Sequence, residues 1–179
     1  MAIHVALLRG INVGGARRLP MTDLAALFEK AGARAVETYI QSGNVVFEAG
    51  LRDSRRIAKE IAESLSARFG GPVPVILRTA AEIAAIVAAM PFDLSTDPPK
   101  AYHVGFLDAR PSAAATAALD PLRSPRDHFL LIDRELYLHS PDGVADSRLT
   151  PDYLEKTLGA RCTMRNWNTV QRLQALTHR

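Results

Sequence analysis

The chain has 179 residues, 47% of them apolar and 23% charged, with a formal charge of +3. Its apolar runs stay well short of the ~18 residues of a membrane span, and its N-terminus lacks the basic region of a secretory signal. The single cysteine, Cys162, excludes an internal disulfide, so the expected setting is the cytoplasm. The basic excess is compatible with nucleic acid or phosphorylated ligands. It is carried mostly by arginine beside abundant alanine, however, which a GC-rich coding sequence produces without any functional demand.

In chain order, His4 to Arg9 reads as a buried strand because Val5 to Leu8 are continuously apolar. Arg9-Gly10-Ile11-Asn12-Val13-Gly14-Gly15 follows, running into Ala16-Arg17-Arg18. Glycine gives such a connection backbone freedom, and arginine offers a planar fork to anions. Met21, Leu24, Leu27, Phe28 and Ala31 recur at helical spacing and Gly32 stops them. Val36 to Gln41 and Val45 to Phe47 flank Ser42-Gly43-Asn44, a hairpin signal. A long helix capped by Asp53 or Ser54 carries Ile57, Ile61, Leu65 and Phe69 inward, ends at Gly70-Gly71-Pro72 and feeds a strand from Val73 to Leu77. Thr79-Ala80-Ala81-Glu82 then matches a capping box.

The polar, proline-containing segment from Asp93 to Lys100 reads as a linker. Beyond it the order recurs: a strand from Tyr102, a short helix from Ser112, and a hairpin around Asp133-Arg134-Glu135. A helix opened by Thr150-Pro151 and closed by Gly159 comes next, then a strand from Arg161 to Met164 and a last helix. Asn168, with Gln171 three residues on, resembles the cap of that helix. Each half ends its fourth strand on an arginine beside a capping residue, Arg78-Thr79 and Arg165-Asn166. The expected class is therefore α+β, with two tandem ferredoxin-like βαββαβ-plus-helix halves built on antiparallel sheets. The expected division is 1–92, a linker at 93–100, and 101–179.

In a sheet ordered 4-1-3-2, the loop after strand one adjoins the turn between strands two and three. A helix N-terminus points at the same rim, where backbone N–H groups favour anions. The candidate ligand-binding residues are Arg9, Gly10, Asn12, Gly14, Gly15, Arg17, Arg18, Gln41, Ser42 and Asn44. The competing reading gives the glycines and both asparagines to turn geometry alone. The loop matches neither GxGxxG nor a P-loop. Arg165, Asn166, Trp167 and Asn168 form a second cluster, read either as a helix start with an anchoring tryptophan or as a stacking platform. His4, His103, His128 and His139 lack metal-site spacing, no cofactor motif occurs, and no general base can be placed. An RNA-recognition mode needs aromatics on the central strands, where only Phe47, Tyr102 and Phe106 are candidates. Nucleic-acid binding through a basic surface and a protein-interaction module are the alternative functions.

RGINVGG, YIQSGNVVF (Tyr39 to Phe47) and RNWNTV (Arg165 to Val170), in that order, resemble the domain-of-unknown-function 1697 family. The resemblance implies ferredoxin-like halves and no established activity.

Overall fold

The computed structural model describes residues 1–178. The N-terminal apolar run is strand β1 (Ala2–Leu8), buried on both faces from His4 onward. It is followed by α1 (Met21–Lys30), β2 (Arg34–Tyr39), β3 (Asn44–Ala49), α2 (Leu51–Phe69), β4 (Val75–Thr79) and α3 (Ala80–Ala88). β1 pairs antiparallel with both β3 and β4, and β2 pairs antiparallel with β3. The resulting order, β2-β3-β1-β4, is the one the succession of elements implies. One face of this sheet, through Ala6, Leu8, Val45 and Phe47, packs on Leu24 and Phe28 of α1 and on Ile57, Ile61 and Leu65 of α2.

The helix ends follow local chemistry, with one departure. The N-cap of α2 is Gly50, three residues before Asp53 and four before Ser54, the expected caps. Ser54 lies on the same buried stripe as Ile57 and Ile61, so its hydroxyl turns inward and donates to the Leu51 carbonyl at 3.0 Å. At the other end Gly70, with φ of 66°, closes α2 by donating to the Ser66 carbonyl. The capping box at α3 is made in both directions: the Thr79 N–H donates to Glu82 Oε2 at 2.7 Å, and the Glu82 N–H to Thr79 Oγ1 at 3.2 Å.

After a 3₁₀ turn at Pro99–Ala101 come β5 (Tyr102–Leu107), α4 (Ala113–Ala117), β6 (His128–Ile132), β7 (Glu135–His139), α5 (Pro151–Leu158), β8 (Cys162–Asn166) and α6 (Trp167–Leu176). Their sheet repeats the first pattern as β6-β7-β5-β8. Ser112 caps α4 and Thr150 caps α5 through their hydroxyls, and Gly159 ends α5 at φ of 67°. Leu107, Leu136, Leu154, Leu158 and Cys162 form this sheet's core. Among the described residues, the protein is thus a mixed α+β chain with two four-stranded antiparallel sheets and six α-helices.

The repeat extends to single residues. Arg78 faces Val5 across β4 and β1, and its Nη1 donates to the preceding carbonyl, that of Leu77, at 2.8 Å. Arg165 faces Val104 in the second sheet and donates to the Met164 carbonyl at 2.9 Å. The chain divides into two compact units, Met1–Ala84 with the residues from Leu173 onward, and Ala85–Arg172. The polar segment 93–100 is bonded into the second unit: Tyr102 donates to the Asp93 carbonyl at 2.8 Å, and Asp97 pairs with His139 at 2.9 Å.

Candidate ligand-binding site

The loop after β1 folds on itself. Gly14 and Gly15, at φ of 59° and 78°, are the central residues of a reverse turn in which the Ala16 N–H donates to the Val13 carbonyl at 3.1 Å. Two successive positive-φ positions suit glycine pairs, the pattern of a type I′ turn. The Asn12 N–H donates to the Arg17 carbonyl at 3.1 Å, so residues 12–17 form a miniature hairpin.

Three contacts fix that hairpin to its surroundings. Asn12 is the principal one: its Nδ2 donates to the carbonyls of Leu19 and Gln41, each at 2.9 Å, while its Oδ1 accepts from the Leu19 N–H at 2.8 Å. Arg17 Nη1 donates to the Pro72 carbonyl at 3.0 Å. Ile11 packs on Gly43, where a Cβ would lie 2.8 Å from Ile11 Cδ1 and 2.8 Å from Leu8 Cβ. The loop after β1, the β2–β3 turn and the α2–β4 turn are therefore neighbours at one end of the first sheet.

Beside them opens a cleft of about 670 Å³. Asn12, Gly15, Arg18 and Gln41 form its polar lining, and Leu19, Pro20, Met21 and Thr22 the wall from which α1 starts. Pro20 is the N-cap of α1, with φ of −56° and ψ of 140°, and no side chain accepts from the first turn. The first N–H groups of a helix have no intrahelical acceptor, and they carry the positive end of its dipole. Arg18 is exposed at this wall, and Asp23 in the first turn is the one opposing charge of the helix start.

Of the expected ligand-binding residues, the cleft gathers Asn12, Gly15, Arg18 and Gln41. Asn44 is fully buried, its Nδ2 donating to the Tyr39 carbonyl at 3.0 Å and to Ser42 Oγ at 2.9 Å. In this arrangement Asn44 holds the hairpin turn, with Ser42 as one of its acceptors. Arg9 is half-buried with its N–H donating to the Pro74 carbonyl at 3.1 Å, and Arg17 reaches Pro72. Gly10 and Gly14 belong to the loop's outer geometry, at φ of 72° and 59°. Sequence reasoning missed Pro20 and Thr22. The available signal was a helix start with no Ser, Thr, Asp or Asn at its cap.

The second cluster is buried at its arginine and tryptophan and exposed at Asn168. Trp167 is 2% exposed, so it offers no face to a base. Arg165 is buried, donating to Thr163 Oγ1 at 2.8 Å, and burial pushes its guanidinium down to about 10, still charged at neutral pH. The cap of α6 is Asn166, whose Oδ1 accepts from the Thr169 N–H at 2.9 Å, and not Asn168, which is exposed within the helix. Phe47, Tyr102 and Phe106 are fully buried, so the central strands display no aromatic for stacking.

Two antiparallel α+β sheets, the first bearing a polar cleft where three turns meet, define the class of protein. Residues 1–137 match the family described as "Protein of unknown function (DUF1697)", and the chain belongs to that family. RNWNTV lies beyond the matched residues. The whole chain is also similar in fold to the solved structure of conserved bacterial protein SP0830 from Streptococcus pneumoniae. That likeness has a TM-score of 0.74 at 16% identity, covering 100% of this chain and 99% of the other. The search of curated proteins finds no match.

Proposed function

We propose that the protein binds a small anionic ligand, such as a phosphate ester, in the cleft at the start of α1, within the first of two ferredoxin-like halves. The observation that carries this reading is the opening of the α1 N-terminus, free of any capping side chain, on a cleft walled by Arg18. The N–H groups of the first turn and of Gly15 are the donors, Arg18 neutralises charge, and Gln41 sets orientation. Asn12, its side-chain amide already engaged, shapes the wall.

Magnitudes narrow the ligand. A charged hydrogen bond contributes ~1.5–3 kcal/mol and an exposed helix dipole ~0.3–1, against an association cost of ~4–15. Bare phosphate is therefore expected to bind no tighter than about millimolar. An ester whose carbon skeleton covers Pro20 and Met21 gains apolar contact and binds more tightly. The test is a thermal-shift series with glucose 6-phosphate, adenosine monophosphate, glucose and adenosine. Stabilisation by the phosphorylated members alone, competed by inorganic phosphate, supports the assignment. Equal responses to the neutral partners reject it.

A further inference from the structure

β6 is an outer strand of the second sheet, and its residues, His-Phe-Leu-Leu-Ile, include no Asp, Glu, Lys, Arg or proline. Its register with β7 runs unbroken from His128 opposite His139 to Ile132 opposite Glu135. β2, the corresponding edge of the first sheet, is built differently. It carries Arg34 and Glu37, a φ of 46° at Ala35, and a register shift between Arg34 and Glu37. Charges and bulges are devices by which edge strands avoid pairing with other chains. β6 has neither, and Leu130 and Ile132 stand 46% and 37% exposed on it.

The neighbouring bonds fix which backbone groups of β6 point outward. The Leu107 N–H donates to the Arg134 carbonyl at 2.9 Å, and the Ser140 N–H to the Ala101 carbonyl at 2.8 Å. Even-numbered residues in and beside β7 therefore bond toward β5. Alternation turns Glu135, Tyr137 and His139 toward their partners Ile132, Leu130 and His128. The N–H and C=O groups of Phe129 and Leu131 are left pointing away from the sheet, and the described residues bond to none of them.

We propose that β6 is an interaction surface for a second copy of this chain, paired antiparallel about Leu130 so that the sheet continues across the two molecules. Phe129 and Leu131 are symmetric about Leu130. A two-fold axis there matches each with the other in the second copy, gives every outward N–H and C=O a partner, and sets Leu130 against its own counterpart. The ends agree. Arg126 pairs with Asp142 at 2.7 Å beside the start of β6, and Arg110 with Asp133 at 3.3 Å beside its end. Antiparallel approach brings these ion pairs side by side, so charges of both signs meet across the seam. The self-matching register selects a copy over an unrelated extended peptide. A strand this short spans about 17 Å, and its seam falls below the ~800 Å² per partner of a stable complex. The dimer is therefore weak and concentration-dependent.

The test is sedimentation velocity of the full-length chain from roughly ten micromolar to roughly one millimolar, the span in which so small an interface associates. Amide hydrogen exchange by NMR is read on the same samples. Self-association is expected, with exchange at Phe129 and Leu131 slowing severalfold at the high end, while Leu130 and Ile132, already bonded to β7, change little. Leu130→Lys and Leu130→Glu each set like charges opposite one another at the centre of the seam. Each variant alone is expected to stay monomeric with unchanged circular dichroism, and their equimolar mixture to associate again. A monomeric unmodified chain, protection that maps to other residues, variants that associate as the unmodified chain does, or a mixture that stays monomeric overturns the proposal. Protection of Phe129 and Leu131 by a Thr-Val repeat peptide but not by raising the chain's own concentration assigns the edge to a foreign strand and overturns it as well. Should either variant fail to fold, the concentration dependence of exchange at Phe129 and Leu131 decides alone.

Discussion

Gly43 shows how a single residue joins the two loops of the candidate site. It adopts φ of 75°, and a Cβ there would lie 2.8 Å from Leu8 Cβ, an atom fixed to the backbone of β1. An L-residue in the left-handed region costs ~1–2 kcal/mol, and overpacking a full core adds ~1–3. Gly43→Ala is therefore expected to destabilise folding by roughly 2–5 kcal/mol, read as a lower urea midpoint at unchanged slope. A loss below about 0.5 kcal/mol would show that the loops are free to separate. The asparagines teach a related point. Asn12 and Asn44 both look like ligand contacts in a glycine-rich string, yet each spends its amide on backbone carbonyls. A sequence places such a residue in a turn without revealing which way its amide points.

At the scale of elements, helix starts were the most legible feature when the cap was the last residue of a strand or loop. Thr79, Ser112 and Thr150 all accept from a backbone N–H three residues on. For α6 the sequence offers two caps, Asn166 beside Arg165 and Asn168, whose spacing to Gln171 imitates a capping box. The repeat favours the first, and the structure bears it out: Asn166 stands where Thr79 stands, and β8 passes into α6 as β4 passes into α3. The start of α1 is the exception that bears on function. Pro20 has the extended ψ of a cap, 140°, and no side chain to make one. Pro20→Asp supplies the acceptor, and a good cap contributes ~0.5–2 kcal/mol. The variant is expected to melt several degrees higher and to bind phosphate esters at least tenfold less well, by calorimetry. Higher stability with undiminished binding would dissociate the helix start from the site.

For the whole molecule, element order and sheet order were readable because strands buried on both faces leave continuous apolar runs and the turns carry glycine. The placement of the cleft's apolar wall was not, since Leu19 to Thr22 read only as the entry to a helix. The buried histidines give the fold a pH dependence. Burial lowers the affinity of His4 and of His103 for protons below the ordinary 6.5, and one ring nitrogen of each, His4 Nε2 and His103 Nδ1, lacks a partner. A histidine with a depressed folded pKa binds more protons in the unfolded chain. Its stabilising preference is thus complete above about 6.5 and is lost as pH falls toward the folded values. Melting temperature is expected to drop between about pH 7 and about pH 5, and the His4→Phe, His103→Phe double variant to drop less. Parallel curves for the two proteins would remove the histidines as the cause.

The central claim concerns Arg18, the exposed guanidinium at the wall of the first cleft. Its most direct test is calorimetric titration of the unmodified chain and of Arg18→Ala with whichever phosphate ester gives the largest thermal shift. Loss of one charge-assisted contact of ~1.5–3 kcal/mol predicts an affinity roughly ten- to a hundredfold weaker in the variant, with the unliganded melting temperature unchanged. Equal affinity in the two proteins would contradict an anion site at the start of α1.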